Sequence, residues 1–239
     1  MRNKWLIFLI ILIVSGLMIS YFKSEKEAQG RLLVRDAYYG DLLAVKEDVE
    51  DGAPLNYEFY FEDEDRQYRG RWFNALHAAA SSGNEDIINF LLEQGIDINT
   101  QTPDGWTPLF IAARDGQAEA ARLLVYRGAD LNIQTNEGAT ALLMVLTQPF
   151  EQESQRMELL TYLLRRGANP NLPDKNGFTP LYYAAMLAKP QAVSLLLEYD
   201  ANPDTSLIHQ TLAYLETHPS AQAQKITALL KKRLVKIKK

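Results

Sequence analysis

The feature that most constrains this chain is an internal period of about 33 residues, the length of one supersecondary unit. Leucine recurs at Leu76, Leu109 and Leu142, at equal intervals, and again at Leu181. Gly95 and Gly128 are separated by the same interval, as are Gly167 and Asp200. Asparagine follows glycine at one fixed spacing in Gly52/Asn56, Gly95/Asn99, Gly128/Asn132 and Gly167/Asn171, and Asp200/Asp204 keeps that spacing. A unit this short cannot enclose a core alone, so copies must stack and bury the seams between them. Terminal units then differ from the rest, because one of their faces meets water.

Each unit reads as a pair of helices. Thr107, Thr140 and Thr179 stand where a hydroxyl accepts from an orphan N–H of the first turn, and Pro108 and Pro180 fill the first helical position, where no N–H is needed. Leu109, Ala112 and Ala113 make an apolar stripe small enough for close helix approach, and Leu123 with Leu124 face it from the second helix. Gly95, Gly128 and Gly167 then allow the left-handed residue that ends that helix.

Three segments, Gly105-Trp-Thr-Pro-Leu-Phe-Ile-Ala-Ala113, Gly177-Phe-Thr-Pro-Leu-Tyr-Tyr-Ala-Ala185 and Asn74-Ala-Leu-His-Ala-Ala-Ala80, closely resemble the ankyrin repeat family. The resemblance implies an all-α, ankyrin-repeat α-solenoid of helix-turn-helix repeats with β-hairpin fingers. It places a degenerate repeat at 31–56, repeats near 70–102, 103–135, 136–172 and 173–204, and a C-terminal cap at 205–239. It also implies a protein-binding role on the concave groove, no cofactor, and a hydrogen-bonding structural task for His77.

The family's variable surface positions, carried over one by one, are Phe73, Trp106, Ala139 and Phe178 before the cap, and Ser81, Arg114, Thr147 and Met186 after the alanine pair, with Tyr183 on the same helix as Met186. The candidate partner contacts are Phe73, Trp106, Phe178, Arg114, Tyr183 and Met186. A structural reading of the aromatic row, as cover for the fingers, stands beside this one.

Two departures from the period add to the picture. The stretch from Asn56 to Leu76 is twice as long as that from Asn99 to Leu109 and its equivalents, so the first finger carries an insertion. The run from Tyr57 to Phe73 combines aromatics with five acidic residues and three arginines. Tyr57, Phe59 and Phe61 are therefore also candidate partner contacts, on a hairpin that either binds or packs on its neighbour. Asp63-Glu-Asp65 lacks the glycine and closing glutamate of a calcium loop, so no metal is expected there. The second departure lengthens the span between Leu142 and Gly167, within Thr147 to Arg156, and extends either a helix or a loop.

Outside the repeats, the run from Trp5 to Phe22 carries no charge. As a helix it spans about 27 Å, close to the hydrocarbon thickness of a bilayer. Arg2 and Lys4 precede it, which places the N-terminus inside and the rest outside. The segment 1–22 is expected to be a transmembrane signal anchor of a bacterial inner membrane with the repeats in the periplasm, and 23–30 a linker. Cleavage near Val14-Ser15-Gly16, leaving a soluble periplasmic protein, is the alternative.

A net charge of −5 excludes a general nucleic-acid binder, and the absence of cysteine excludes disulfides and thiolate sites. His209 and His218 have no metal-binding or catalytic spacing, and no enzyme is expected. The remaining expectation is a monomeric interaction scaffold, of a type that resembles accessory or immunity proteins for exported enzymes. A structural component of a membrane complex is the rival reading. The C-terminal lysines, Lys225 to Lys239, alternate with Leu229, Leu230, Leu234, Val235 and Ile237. They read as the solvated face of a capping helix, or as a surface for anionic lipid.

Overall fold

The computed structural model describes residues 23–61, 71–148, 152–202 and 205–237. They fall into two compact units, one ending at Ile96 and one beginning at Asp97. No helix among the described residues is long and apolar enough to cross a membrane. The run Trp5 to Phe22, expected to be a membrane span, lies outside them.

The first unit opens with α1 (23–39) and α2 (Leu42–Glu50). Gly40 turns between them at φ 81, and the Asp41 carboxylate caps α2 by accepting from Leu43 and Ala44 N–H at 3.2 and 3.1 Å. The expected linker 23–30 is instead the first part of α1. Nothing in Lys23 to Gln29 breaks a helix, and Gly30 is buried: a Cβ there would overlap the Tyr57 ring. Gln29 also donates to the Asp51 carbonyl at 3.2 Å. Leu33, Val34 and Ala37 bury the next turns of α1 completely.

A two-stranded antiparallel ladder follows, β1 (Phe59–Phe61) with β2 (Arg71–Phe73), and then α3 (Ala75–Ser82) and α4 (Glu85–Glu93). Helix α3 is short and alanine-rich, so it packs closely on α4. Hydrogen bonds from Ser82 Oγ to the Ala37 carbonyl and from Asn84 Nδ2 to the Gly40 carbonyl, both 3.4 Å, tie this pair to the α1–α2 turn.

The second unit is built from α5 (Pro108–Arg114), α6 (Ala118–Tyr126), α7 (Ala141–Thr147), α8 (Glu153–Arg165), α9 (Pro180–Met186), α10 (Pro190–Glu198), α11 (Thr205–Thr217) and α12 (Ala221–Ile237). Helices α5, α7, α9 and α11 pack in sequence as one layer, and α6, α8, α10 and α12 as the other. The periodic leucines mark the seam: Leu109, Leu142 and Leu181 are each 3 % exposed or less. Burying one such side chain contributes about 2 kcal/mol. The alanines beside them, Ala112, Ala113, Ala184 and Ala185, are buried as well and let the layers approach.

The asparagine of the glycine pattern has a physical role between units. Asn132 Oδ1 accepts from Asn169 N–H at 2.8 Å while its Nδ2 donates to the Gly167 carbonyl at 3.4 Å. Asn171 repeats the arrangement with Asn202 N–H and the Asp200 carbonyl, at 2.6 and 3.2 Å. The short side-chain amide offers its acceptor and its donor on two separate atoms, one for each of these backbone groups, which accounts for Asn at this position.

The expected β-hairpin fingers take a different form in this unit. Each is a tight turn, closed by a bond such as Thr135 N–H to the Ala139 carbonyl at 2.9 Å, and is too short for a strand pair. Among the described residues only the first finger forms a ladder, because its insertion supplies the length. The second departure from the period lengthens a helix: α8 has 13 residues where α6 and α10 have 9. Its buried Arg156 donates to the Gln148 carbonyl at 3.0 Å and pairs with Glu153 at 2.7 Å. Lys189 donates to the Leu146 carbonyl at 2.8 Å, so two cations satisfy the C-terminal carbonyls of α7. Burial, with Arg156 nearby, holds the Lys189 ammonium below the usual lysine range.

Candidate protein-binding surface

The capped starts of the helices explain where the aromatic row sits. Asn74, Thr107, Thr140 and Thr179 each accept from the N–H three positions on, at 3.1 to 3.4 Å. At Asn74 the bond is reciprocated: His77 Nδ1 accepts from Asn74 N–H at 3.3 Å, so the imidazole proton resides on Nε2. His77 is 1 % exposed and completes a capping box.

Before three of these four caps an aromatic ring packs on the ring four positions further along. Phe73 lies 5.9 Å from His77 between ring centroids, Trp106 5.3 Å from Phe110, and Phe178 4.4 Å from Tyr182. These contacts cover the first turn of each helix by packing the residue before the cap on the third helical residue. The structural role read from the family pattern is therefore present in three repeats. It does not consume the rings equally.

In the second unit, Trp106 and Phe178 are only half-buried and keep surface for a partner. The Arg114 guanidinium lies 4.6 Å from the centre of the Trp106 ring and forks onto Asp115, Nε to Oδ1 at 2.6 Å and Nη2 to Oδ2 at 2.9 Å. Its side chain is 13 % exposed and that of Asp115 4 %, so Arg114 supports the indole rather than offering a solvated charge. Phe178 meets Tyr183 edge-on at 6.1 Å, and the Tyr183 hydroxyl donates to Asp174 Oδ2 at 2.7 Å. Asp174 Oδ1 accepts from Asn176 and Phe178 N–H, both at 2.9 Å.

Burial works to raise the Asp174 carboxyl, but the hydrogen bonds from Tyr183 and the backbone outweigh it and hold the group below the usual carboxylate range. Burial, and then the bond to Asp174, push the Tyr183 hydroxyl up to about 12. The ring is thereby locked by its own finger. Met186 is half-buried at the end of α9, and Leu187 beside it is 45 % exposed. Between these two aromatic groups α7 presents Ala139 before its start and Thr147 at its end, both half-buried and neither bulky.

The fingers that carry these rings are joined edge to edge. Asn136 N–H donates to the Asp104 carbonyl at 3.0 Å and Lys175 N–H to the Glu137 carbonyl at 2.9 Å. Asn136 and Gln134 side chains reach the carbonyls of Pro103 and Pro173 at 2.9 and 2.8 Å. A row of short loops bonded in this way presents its side chains with little entropy left to lose on binding.

In the first unit the structure corrects one sequence-based choice, Phe73, and gives Tyr57 a packing role. Phe73 is wholly buried and offers no surface to a partner, because the register pairs it with Phe59 on the core side of the ladder. Tyr57 packs on Gly30 and accepts from Arg31 Nε at 3.3 Å, which makes it a strut for α1. Phe59 is half-buried, and Phe61 lies opposite Arg71 in backbone register. The ladder's other face carries Tyr60 and Trp72, with ring centroids 5.1 Å apart and Trp72 43 % exposed. The period-2 alternation through Phe59-Tyr60-Phe61 and Arg71-Trp72-Phe73 would have found them. Asp63-Glu-Asp65 lies outside the described residues, and among the described residues no group of three His, Asp or Glu could hold a metal.

A layered stack of helix pairs with edge-bonded fingers and half-exposed aromatics defines a repeat scaffold whose surface suits recognition of protein. The family profile for ankyrin repeats in three copies matches residues 37–135, 76–152 and 143–214, and the chain belongs to the ankyrin repeat family. It is 49 % identical over 117 residues to human ankyrin repeat and SOCS box protein 3, covering 49 % of this chain and 22 % of that protein. A putative ankyrin repeat protein of Rickettsia bellii is 33 % identical over 125 residues, 51 % of this chain and 36 % of its own length. An L-asparaginase of Dirofilaria immitis is 28 % identical over 173 residues, 72 % of this chain and 27 % of that protein. The chain thus spans about a fifth to a third of the length of these three relatives. Ankyrin repeats are protein-binding modules, and that coarse function applies here.

Proposed function

We propose that this chain is a protein-binding scaffold whose contact face is formed by Trp106, Phe178, Tyr183 and Met186 with the joined fingers of the second unit. The observation that carries the reading is the pair of half-exposed aromatic groups, each fixed from below by its own ion pair or carboxylate, Arg114–Asp115 under Trp106 and Asp174 behind Tyr183. Aromatic surface that is rigid before binding is what dominates interface energetics. The hairpin pair Tyr60 and Trp72 offers a further contact in the first unit.

The apolar run Trp5 to Phe22 supports display at the outer face of a bacterial inner membrane, with the repeats in the periplasm. In that setting the scaffold acts as an accessory or immunity protein that holds an exported enzyme. A phosphatase fused after residue 30 is active if the repeats face outward and inactive if they do not. Pairing Trp106→Ala with Phe178→Ala weakens capture of the partner about a hundredfold or more, as for loss of two central aromatics, with the helical circular dichroism unchanged. Undiminished capture by that folded variant refutes the assigned face. Capture that survives deletion of residues 1–22 separates this reading from a structural role within a membrane complex.

A further inference from the structure

The C-terminal helix α12 stands apart from the rest of the chain in charge. Residues 221–239 contain seven of the 25 Lys and Arg and none of the 30 Asp and Glu, a net charge of +7. Residues 1–220 therefore carry 18 cations against 30 anions, a net charge of −12. One side of α12 closes the stack: Ala223, Ile226 and Leu230 are buried against α10 and α11. Two of its cations are spent within the fold, Lys231 on Glu216 and Arg233 on Asp200, both at 3.3 Å.

The solvent-facing side of α12 is open and borders α10. A groove of about 470 Å³ runs between α10 and α12, lined by Pro190, Gln191 and Ser194 on one bank and by Lys225, Ala228, Leu229 and Lys232 on the other. Lys225 and Lys232 are two helical turns apart and both exposed, and the half-exposed Leu229 sits between them. Val235 continues the same stripe at 60 % exposure. Apolar side chains between lysines whose stems can lie along them is the pattern of a helix that rests in a bilayer interface.

We infer that the α10–α12 face is a second membrane contact, which docks the end of the repeat stack on anionic phospholipid. The apolar stripe enters the headgroup region while Lys225 and Lys232 meet lipid phosphates. The net negative charge of the rest of the chain is repelled by the same surface, which favours approach by this face. An acidic protein would satisfy the lysines, but the chain's own apolar run already brings it to a bilayer. The inference rests on that tether.

The chain has no cysteine, so a single Val235→Cys change carrying an environment-sensitive fluorophore reports on α12 in the full chain. Tyr126→Cys, at a position 73 % exposed on α6, is the reference. With the full chain in phosphatidylcholine vesicles containing phosphatidylglycerol, the label at 235 shifts to the blue and reverts in high salt, and the label at 126 does not. In phosphatidylcholine alone neither shifts. Lys225→Gln with Lys232→Gln lowers the ratio of docked to undocked α12 about thirtyfold.

A label at 235 that ignores lipid charge, in a chain that floats with both vesicles, overturns the inference and leaves the tether standing. Flotation with anionic vesicles alone upholds the α12 contact and overturns the tether. Flotation with neither overturns both. An equal shift caused by soluble polyglutamate in neutral vesicles overturns the lipid assignment in favour of an acidic protein.

Discussion

Replacing Tyr183 by Phe isolates the hydrogen bond that fixes the aromatic group on α9. The ring stays between Phe178 and Tyr182, and only the hydroxyl that donates to Asp174 at 2.7 Å is lost. A hydrogen bond to a charged acceptor contributes about 1.5–3 kcal/mol when buried. Asp174 is only partly buried, keeps its bonds from Asn176 and Phe178, and can take a water in place of the hydroxyl, so the expected cost is about 1 kcal/mol. For a chain of this size that lowers Tm by about 2–4 °C.

The dependence on pH gives the sharper test. The folded state holds the Asp174 carboxyl below its usual range, so the stability it contributes is complete above the unfolded pKa and fades as pH falls through the folded one. Thermal melts followed by circular dichroism should separate wild type from Tyr183→Phe near neutral pH and bring them together in strong acid. Tyr182→Phe serves as the control. A gap that persists undiminished after Asp174 is protonated, or no gap at neutral pH, refutes the account of how this surface is held.

Three further outcomes follow from the same geometry. Gly138→Ala places a Cβ 2.7 Å from the Lys175 backbone nitrogen at a residue with φ 78, whereas Gly177→Ala at φ 82 meets nothing within 4 Å; urea titration should show about 1 kcal/mol for Gly177→Ala and clearly more for Gly138→Ala. Asn132→Ala removes both bonds between its own repeat and the next, costs about 1–2 kcal/mol, and speeds hydrogen exchange at the Asn169 amide. Asp48→Asn stabilises the first unit: burial, and then Asp36, raise the Asp48 carboxyl to about 6. Wild type therefore loses stability as pH rises from the unfolded pKa to that value, and the variant's gain, about 1 kcal/mol after allowing for solvent, is full above it and absent below pH about 4.

The repeat period, the caps, the periodic leucines and the membership of a repeat family were legible in the residues alone. A solenoid repeats one local solution, so helix starts at Thr107, Thr140 and Thr179 and seams at Leu109, Leu142 and Leu181 follow from contacts close in sequence. The same locality let the sequence place Trp106 and Phe178 at one recurring position. What it could not do was tell them from Phe73, which occupies that position too and is buried. The difference arises from the ladder that the first finger's insertion creates, which pairs Phe73 with Phe59 and leaves Trp72 outward. Likewise the polar stretch 23–30 reads as a tether until Gly30 is seen against Tyr57, a contact between α1 and the far end of the segment that follows α2. Local pattern determined which elements form and how they repeat. Exposure depends on what lies opposite in space, so only the tertiary structure decided which aromatics remain available to a partner.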